Sequence, residues 1–261
     1  MRAFSLVFLL LFCLARPGLA APVRILVCGG DSEWPPSSFF KRDQGKLTSE
    51  ISGLSPDLLR RIFTGSEFEP VFTLQPWARC QRDVLKGEQQ IAMGGTFNKD
   101  RLERYLLSRP YFAVTPGYIY WKPFAPAGGF PVSSAQDLKK FRVCGMTGHN
   151  YEAIGLQPGE IDVGPGGYDA VVARLTHKRC DLFVENIEVV KGLIALGEPA
   201  LQSDDLAARA VPGVAPLGVH FMISRASPHA QKLLDRINKR LEAMESSGEL
   251  ASLTERYLTR Y

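Results

Sequence analysis

Short apolar runs alternate along the chain with amphipathic stretches of helical period, separated by glycine- and proline-rich turns. Residues 23–28, VRILVC, read as a buried strand bounded by Gly29-Gly30, and residues 68–74 as a second. Between them, residues 53–63 predict a helix with Ser55 as N-cap, Pro56 at the first helical position, and Leu58, Leu59, Ile62 and Phe63 as its buried face. A turn at Gln75-Pro76-Trp77 leads into a helix over 78–86, and the apolar run 91–93 breaks at Gly94-Gly95. Asn98 is the expected N-cap of helical turns over 99–104. Residues 114–117 predict a crossover and 123–134, rich in Pro, Gly and Ala, a surface loop. Beyond it come a short helix over 135–140, a strand over 141–146, and a Gly-rich turn, Thr147-Gly148-His149-Asn150, expected to open another helix. Apolar–polar alternation over 162–167 precedes a helix over 168–177, a strand over 180–186 and a strand over 216–224. The chain closes with helices over 230–245, whose apolar face is Leu233, Leu234, Ile237, Leu241 and Met244, and over 249–258. Strands joined by helices through short loops predict an α/β fold.

The first residues add a compartment. Arg2, a run of mostly Leu, Phe, Val and Ala over 3–15, and small residues near Ala20 describe a secretory signal too short to span a bilayer. Cleavage is expected after Ala20, with Cys13 in the discarded part. About 240 residues remain, enough for one large or two small domains. The formal charge of +4 falls to about +2, from 29 basic and 27 acidic residues. The basic residues are scattered, which argues against a nucleic-acid partner. Four cysteines, Cys28, Cys80, Cys144 and Cys180, favour disulfides in an exported chain, with reduced buried thiols as the alternative. Their spacing does not suit zinc, and His149, His177, His220 and His229 lie in different elements, so no metal site is expected. No nucleophile elbow, paired zinc-binding histidines, phosphate loop or dinucleotide fingerprint is present, and neither cofactor nor catalytic residue is assigned.

Candidate binding chemistry gathers in residues 90–112, QIAMGGTFNKDRLERYLLSRPYF. Glycines after a strand let a ligand approach the backbone, Thr96 brings a hydroxyl, and Arg101, five residues on, can cover the same pocket with a guanidinium fork. A solvated surface arginine is the competing reading. Gly-x-Thr-x(4)-Arg followed by an apolar pair and Ser-x-Pro-Tyr-aromatic resembles the signature region of the family 3 bacterial extracytoplasmic solute-binding proteins. The similarity runs from about Val23 to the C-terminus.

The resemblance implies a two-lobed receptor of the type II periplasmic binding fold: residues 21–112 and 217–261 as lobe 1, 113–216 as lobe 2, and two crossovers between them. It places Cys28 and Cys80 in one lobe and Cys144 and Cys180 in the other, hence pairing within lobes. It implies that Thr96 and Arg101 hold a ligand carboxylate, with Gly94 offering its carbonyl. Asp31-Ser32-Glu33-Trp34-Pro35-Pro36 resembles the family's segment at the first strand's end, making Asp31 and Trp34 cleft candidates, or Trp34 a lid on Phe39 or Phe40. Trp77 falls near the family's aromatic over the ligand side chain, or packs in the core. The Gly148 turn should offer helix-end N–H donors, with His149 and Asn150 in place of the usual hydroxyl residues and His149 either a contact to the ligand side chain or a surface cap. Asn186 stands where the family's amino-acid receptors place an Asp against the α-ammonium, with Glu185 adjacent; either Glu185 takes that role or the ligand is not a standard α-amino acid. The implied function is a monomeric periplasmic receptor for a small carboxylate-bearing solute, serving an inner-membrane ABC permease. The alternatives are an exported dehydratase-like enzyme on the same body, with Glu185 or His149 as acid–base group, or a sensor input protein.

Overall fold

The computed structural model describes residues 21–259; the expected signal segment, 1–20, lies outside the described residues. In chain order the elements are β1 (Val23–Gly30), β2 (Phe39–Asp43), β3 (Lys46–Ser52), α1 (Leu54–Phe63), β4 (Phe68–Gln75), α2 (Trp77–Lys86), β5 (Ile91–Thr96), α3 (Lys99–Arg104), β6 (Tyr105–Leu107) and β7 (Phe112–Val114). There follow β8 (Pro116–Trp121), β9 (Val143–Met146), β10 (Asp162–Gly164), α4 (Tyr168–Thr176), β11 (Leu182–Asn186), α5 (Ile187–Ala195), β12 (Leu206–Ala210), β13 (Leu217–Ser224), α6 (Ala230–Ser246) and α7 (Glu249–Leu258).

These strands form two main sheets, one per lobe. The first runs β4-β1-β5-β13-β6, with β7 also on β13; the second runs β10-β9-β11-β8-β12. In the first, β1 is parallel to β4 and β5, while β13 returns antiparallel to β5, β6 and β7. The chain therefore leaves this sheet between β7 and β8 and comes back to it along β13. At the exit, Glu188 fixes Thr115: its carboxylate accepts from the Thr115 amide at 2.7 Å and hydroxyl at 2.8 Å.

Burial explains the layering. The first sheet's core joins Ile25 and Val27 of β1 to Leu58, Leu59 and Ile62 of α1 and to Leu233, Ile237 and Leu241 of α6, so both ends of the chain build one lobe. In the second sheet the strand period of two sorts side chains onto two faces: Ile119 and Phe183 pack with α4 and α5, whereas Tyr118, Tyr120, Leu182 and Val184 pack on the other side. Cys28 is bonded to Cys80 and Cys144 to Cys180, tying β1 to α2 and β9 to the turn that precedes β11.

Several local expectations change. Gly53, at φ 128°, caps α1 in place of Ser55, which lies inside the helix and hydrogen-bonds Ser37 and Tyr111 at 2.7 and 2.6 Å. A Cβ on Gly53 would sit 2.3 Å from the Ser37 carbonyl, so only glycine fits. The stretch after Gly148 does not open an α-helix; one 3-10 turn, Glu152–Ile154, is all that forms. The cause is Tyr151, whose hydroxyl accepts from the Met146 amide at 2.5 Å and donates to the Met146 carbonyl at 3.0 Å, folding the chain back on the end of β9.

Candidate functional site

A cavity of about 590 Å³ lies between the lobes, within the range of small-molecule sites. Asp31, Trp34, Trp77, Gly94, Thr96 and Arg101 line it from the first lobe, and His149, Asn150, Glu185 and Asn186 from the second. Gly148 does not line it.

Arg101 owes its place to α3. Asn98 caps this short helix, its side chain accepting from the Arg101 amide at 2.7 Å, and directs the guanidinium inward. Nη1 donates to the Thr96 carbonyl at 2.8 Å and to its hydroxyl at 3.1 Å; Nη2 donates to the Gly148 carbonyl at 3.1 Å. The Nε–H and a second Nη2 hydrogen have no protein acceptor among the described residues. The residue is 5% exposed, and none of the described acidic side chains forms an ion pair with it. Burial pulls its pKa down to about 10, so it stays cationic at neutral pH. Gly94, at φ 84°, lets the backbone pass close by: a Cβ there would meet the Trp34 ring and the Ser37 hydroxyl at 3.2 Å.

The Gly148 turn corrects its expected role. Its carbonyl, rather than its amide edge, faces the first lobe and accepts from Trp77 Nε1 at 3.0 Å, Gln81 Nε2 at 3.0 Å and Arg101 Nη2 at 3.1 Å. Asn150 makes a second contact across the cleft, donating to the Phe97 carbonyl at 2.7 Å and the Thr96 hydroxyl at 3.2 Å. Trp77 thus has its polar edge on the opposite lobe and its ring 5.8 Å from the Arg101 guanidinium carbon.

The second lobe's wall centres on Glu185, whose side chain is wholly buried. Oε1 accepts from the Asn186 amide at 2.8 Å, Asn186 Nδ2 at 3.0 Å and Trp34 Nε1 at 3.4 Å. Oε2 accepts from the Tyr168 hydroxyl at 3.0 Å, and His149 Nδ1 lies 3.5 Å away. Burial pushes His149 below the usual imidazole range, opposed by the charge of Glu185 and reinforced by Arg101. Asn186 does border the cavity, but its amide is turned onto Glu185. Trp34 lies 6.3 Å from the Phe112 ring and packs against the first-lobe core that holds Phe39 and Phe112. Asp31 stands exposed at the rim, where no described residue engages its carboxylate. Neighbouring Glu33 is consumed by Arg42, with Nη2 to Oε2 at 2.7 Å, and by the Phe40 amide at 2.7 Å.

Sequence reasoning missed Tyr168, Tyr151 and Gln81. Tyr168 carried a usable signal, an aromatic at a helix start just after the Gly-Pro-Gly-Gly turn. Among the described residues no group of His, Cys, Asp and Glu could hold a metal, and no helix is long and apolar enough to cross a membrane.

The fold has many solved counterparts at low identity. An amino-acid ABC transporter substrate-binding protein, AbpA of Streptococcus pneumoniae, bound to L-arginine, superposes with a TM-score of 0.71 at 20% identity, covering 91% of this chain and 95% of its own. A histidine kinase sensor domain with similarity to periplasmic binding proteins gives 0.71 at 18%, covering 91% and 96%. EhuB in complex with hydroxyectoine gives 0.71 at 17%, covering 90% and 88%. No curated protein sequence matches the chain. The sequence itself matches the bacterial extracellular solute-binding proteins, family 3, over residues 26–260. This two-lobed α/β chain belongs to that family.

Proposed function

We propose that this chain is the periplasmic receptor of an ABC importer and captures a small carboxylate-bearing solute, an amino acid or an analogue, between its lobes. Residues 21–112 with 217–261 would form one jaw and 113–216 the other. The observation that carries this reading is Arg101: a buried guanidinium beside the cavity, with uncommitted N–H groups and no protein carboxylate paired with it. A buried cation of this kind is poorly solvated by its surroundings and favours an anion that can accept from it in bidentate fashion. Thr96, held against the same guanidinium, would orient the second carboxylate oxygen, and Asn150 and the side chains packed around Glu185 would meet the solute from the other lobe. Structural counterparts that bind L-arginine or hydroxyectoine support small zwitterions as the class to try first. A turnover reading has one contact in its favour, His149 beside Glu185 at 3.5 Å, but the donors already on that carboxylate leave it poorly placed to move a proton.

The test is a thermal-shift screen of amino acids, their oxo and N-alkylated analogues and simple carboxylates, followed by calorimetry. A ligand at 100 times its Kd should stabilise the protein by about 2.7 kcal/mol. Arg101→Ala should weaken it by roughly 2–5 kcal/mol. Binding within twofold of wild type would sink the carboxylate assignment, and a new chemical species appearing in solution would sink the receptor reading.

A further inference from the structure

The second lobe's wall carries a charge that is wholly buried behind its own hydrogen-bond donors. Glu185 is buried and has no lysine or arginine within ion-pairing distance among the described residues. An ionised carboxylate offers roughly four acceptor positions. Here the Asn186 amide, Asn186 Nδ2 and Trp34 Nε1 all converge on Oε1, while the Tyr168 hydroxyl takes one position on Oε2 and His149 Nδ1 stands 3.5 Å from that same oxygen. Oε2 is the less crowded oxygen, but the side chain has no exposed surface, so an incoming ammonium would have to push Tyr168 or His149 aside to reach it. Without displacement, its own N–H groups would go unsatisfied.

The same side chains decide what the wall does offer. Trp34, Tyr168 and His149 all line the cavity, and Trp34 Nε1, the Tyr168 hydroxyl and His149 Nδ1 are turned towards Glu185. Apart from the second ring nitrogen of His149, what they leave for a ligand is ring surface in front of a buried negative charge. Ring faces backed by negative charge attract cations, and a cation without N–H groups sacrifices no hydrogen bond there. Arg101 stands on the first-lobe side of the same cavity and calls for a carboxylate.

We propose that the site selects a zwitterion whose cationic nitrogen bears no hydrogen, an N-alkylated betaine, over the corresponding α-amino acid, because Asn186, Trp34, Tyr168 and His149 enclose the buried Glu185 carboxylate. Tyr168 is then a specificity-determining residue. This rests on the reading of Arg101 as the carboxylate anchor.

Calorimetry on matched trios tests it: proline, N,N-dimethylproline and cyclopentanecarboxylate, and phenylalanine, N,N,N-trimethylphenylalanine and 3-phenylpropanoate. The quaternary member of at least one trio should bind about tenfold or more tighter than both partners, given what an unpaired buried donor costs. Glu185→Gln should erase that preference while the plain carboxylate keeps its affinity. Tyr168→Phe, which frees a position on Oε2, should move the ratio towards the parent amino acid by about tenfold. A purely structural tyrosine would weaken all members alike. An amino acid or plain carboxylate that equals or beats its quaternary partner in both trios overturns the proposal. If Arg101→Ala then abolishes that binding, the carboxylate reading survives without it. No binding by any member at about 10 mM, where even a Kd near 1 mM approaches saturation, overturns both. Should a variant fail to fold, the wild-type trios alone decide.

Discussion

Closure of the lobes should respond to the Gly148 carbonyl more than to any other single group outside the cavity lining. Gln81 is the cleanest perturbation, because it touches that carbonyl at 3.0 Å without lining the cavity. A neutral hydrogen bond is worth about 0.5–1.5 kcal/mol net. The carbonyl also receives Trp77 and Arg101, so removing Gln81 does not orphan it, and the lower half of that range applies. Gln81→Ala should therefore lower the ratio of lobes-together to lobes-apart by about two- to fivefold. Gly148→Ala should do more. Its φ of 81° costs an L-residue about 1–2 kcal/mol, and the new Cβ would sit 2.8 Å from Gln81 Nε2 and 3.2 Å from Trp77 Cδ1, pushing directly on the opposite lobe. Once Gly148→Ala has parted these groups, adding Gln81→Ala should have little further effect, the signature of two changes on one contact. Distances between spin labels at Glu103 in α3 and Val163 in β10, both exposed, would report the populations. If neither substitution alters the distance distribution, or if the two add in full, the Gly148 contact does not hold the lobes together.

Acid should destabilise the protein through its buried imidazoles. His149 and His220 are both held below the usual imidazole range by burial, so the unfolded chain binds more protons than the folded one on acidification. Their contribution is complete above about pH 6.5 and is lost as pH falls towards their folded values; thermal unfolding from pH 7 to 5 should show the drop, and His149→Gln should flatten it. Replacing Cys28 and Cys80 together by Ser opens a loop of 52 residues and should cost about 4 kcal/mol in the chain-entropy account, read by urea unfolding. The Cys144 and Cys180 pair, separated by 36 residues, should cost nearly as much; non-reducing peptide mapping that found a bridge between the lobes would contradict both.

The sequence made the helices and central strands plain because their apolar periods are strong, and it made the polar details plain only where backbone geometry is simple. Asn98 is an N-cap in sequence and in structure, and it is what aims Arg101. The β2–β3 hairpin escaped notice: its strands mix Lys, Arg and Glu on exposed positions, a bulge breaks the register, and its turn places Gln44 and Gly45 at positive φ without the usual Asn-Gly pair. Edge strand β12, LAARA, is half exposed and has no readable alternation. Glu185 could have been placed from strand period alone, since it shares a face with Phe183, whereas Asn186 ends the strand and caps α5. What no pattern could give is the enclosure of Glu185, which draws on Trp34 arriving from 151 residues away. The helix expected after Gly148 failed for a similar reason, since one Tyr151 hydroxyl outweighs local propensity.

Arg101 sits in both halves of the problem, and this decides how its loss must be interpreted. One of its donors reaches the opposite lobe at Gly148, others hold Thr96, and the remainder are left for a solute. Arg101→Ala would therefore remove a contact to the ligand and a contact between the lobes at once, and a weakened Kd alone could come from either. Gln81 separates them, since it makes the same kind of bond to the same carbonyl from outside the cavity. If Gln81→Ala weakens binding by less than about 1 kcal/mol and Arg101→Ala by roughly 2–5, the excess belongs to the carboxylate. If the two losses are equal, closure accounts for the arginine's effect, and the anion must dock elsewhere. The comparison also predicts a difference in kind: changing Gln81 should affect every ligand by the same factor, whereas changing Arg101 should penalise carboxylates over their amides and esters.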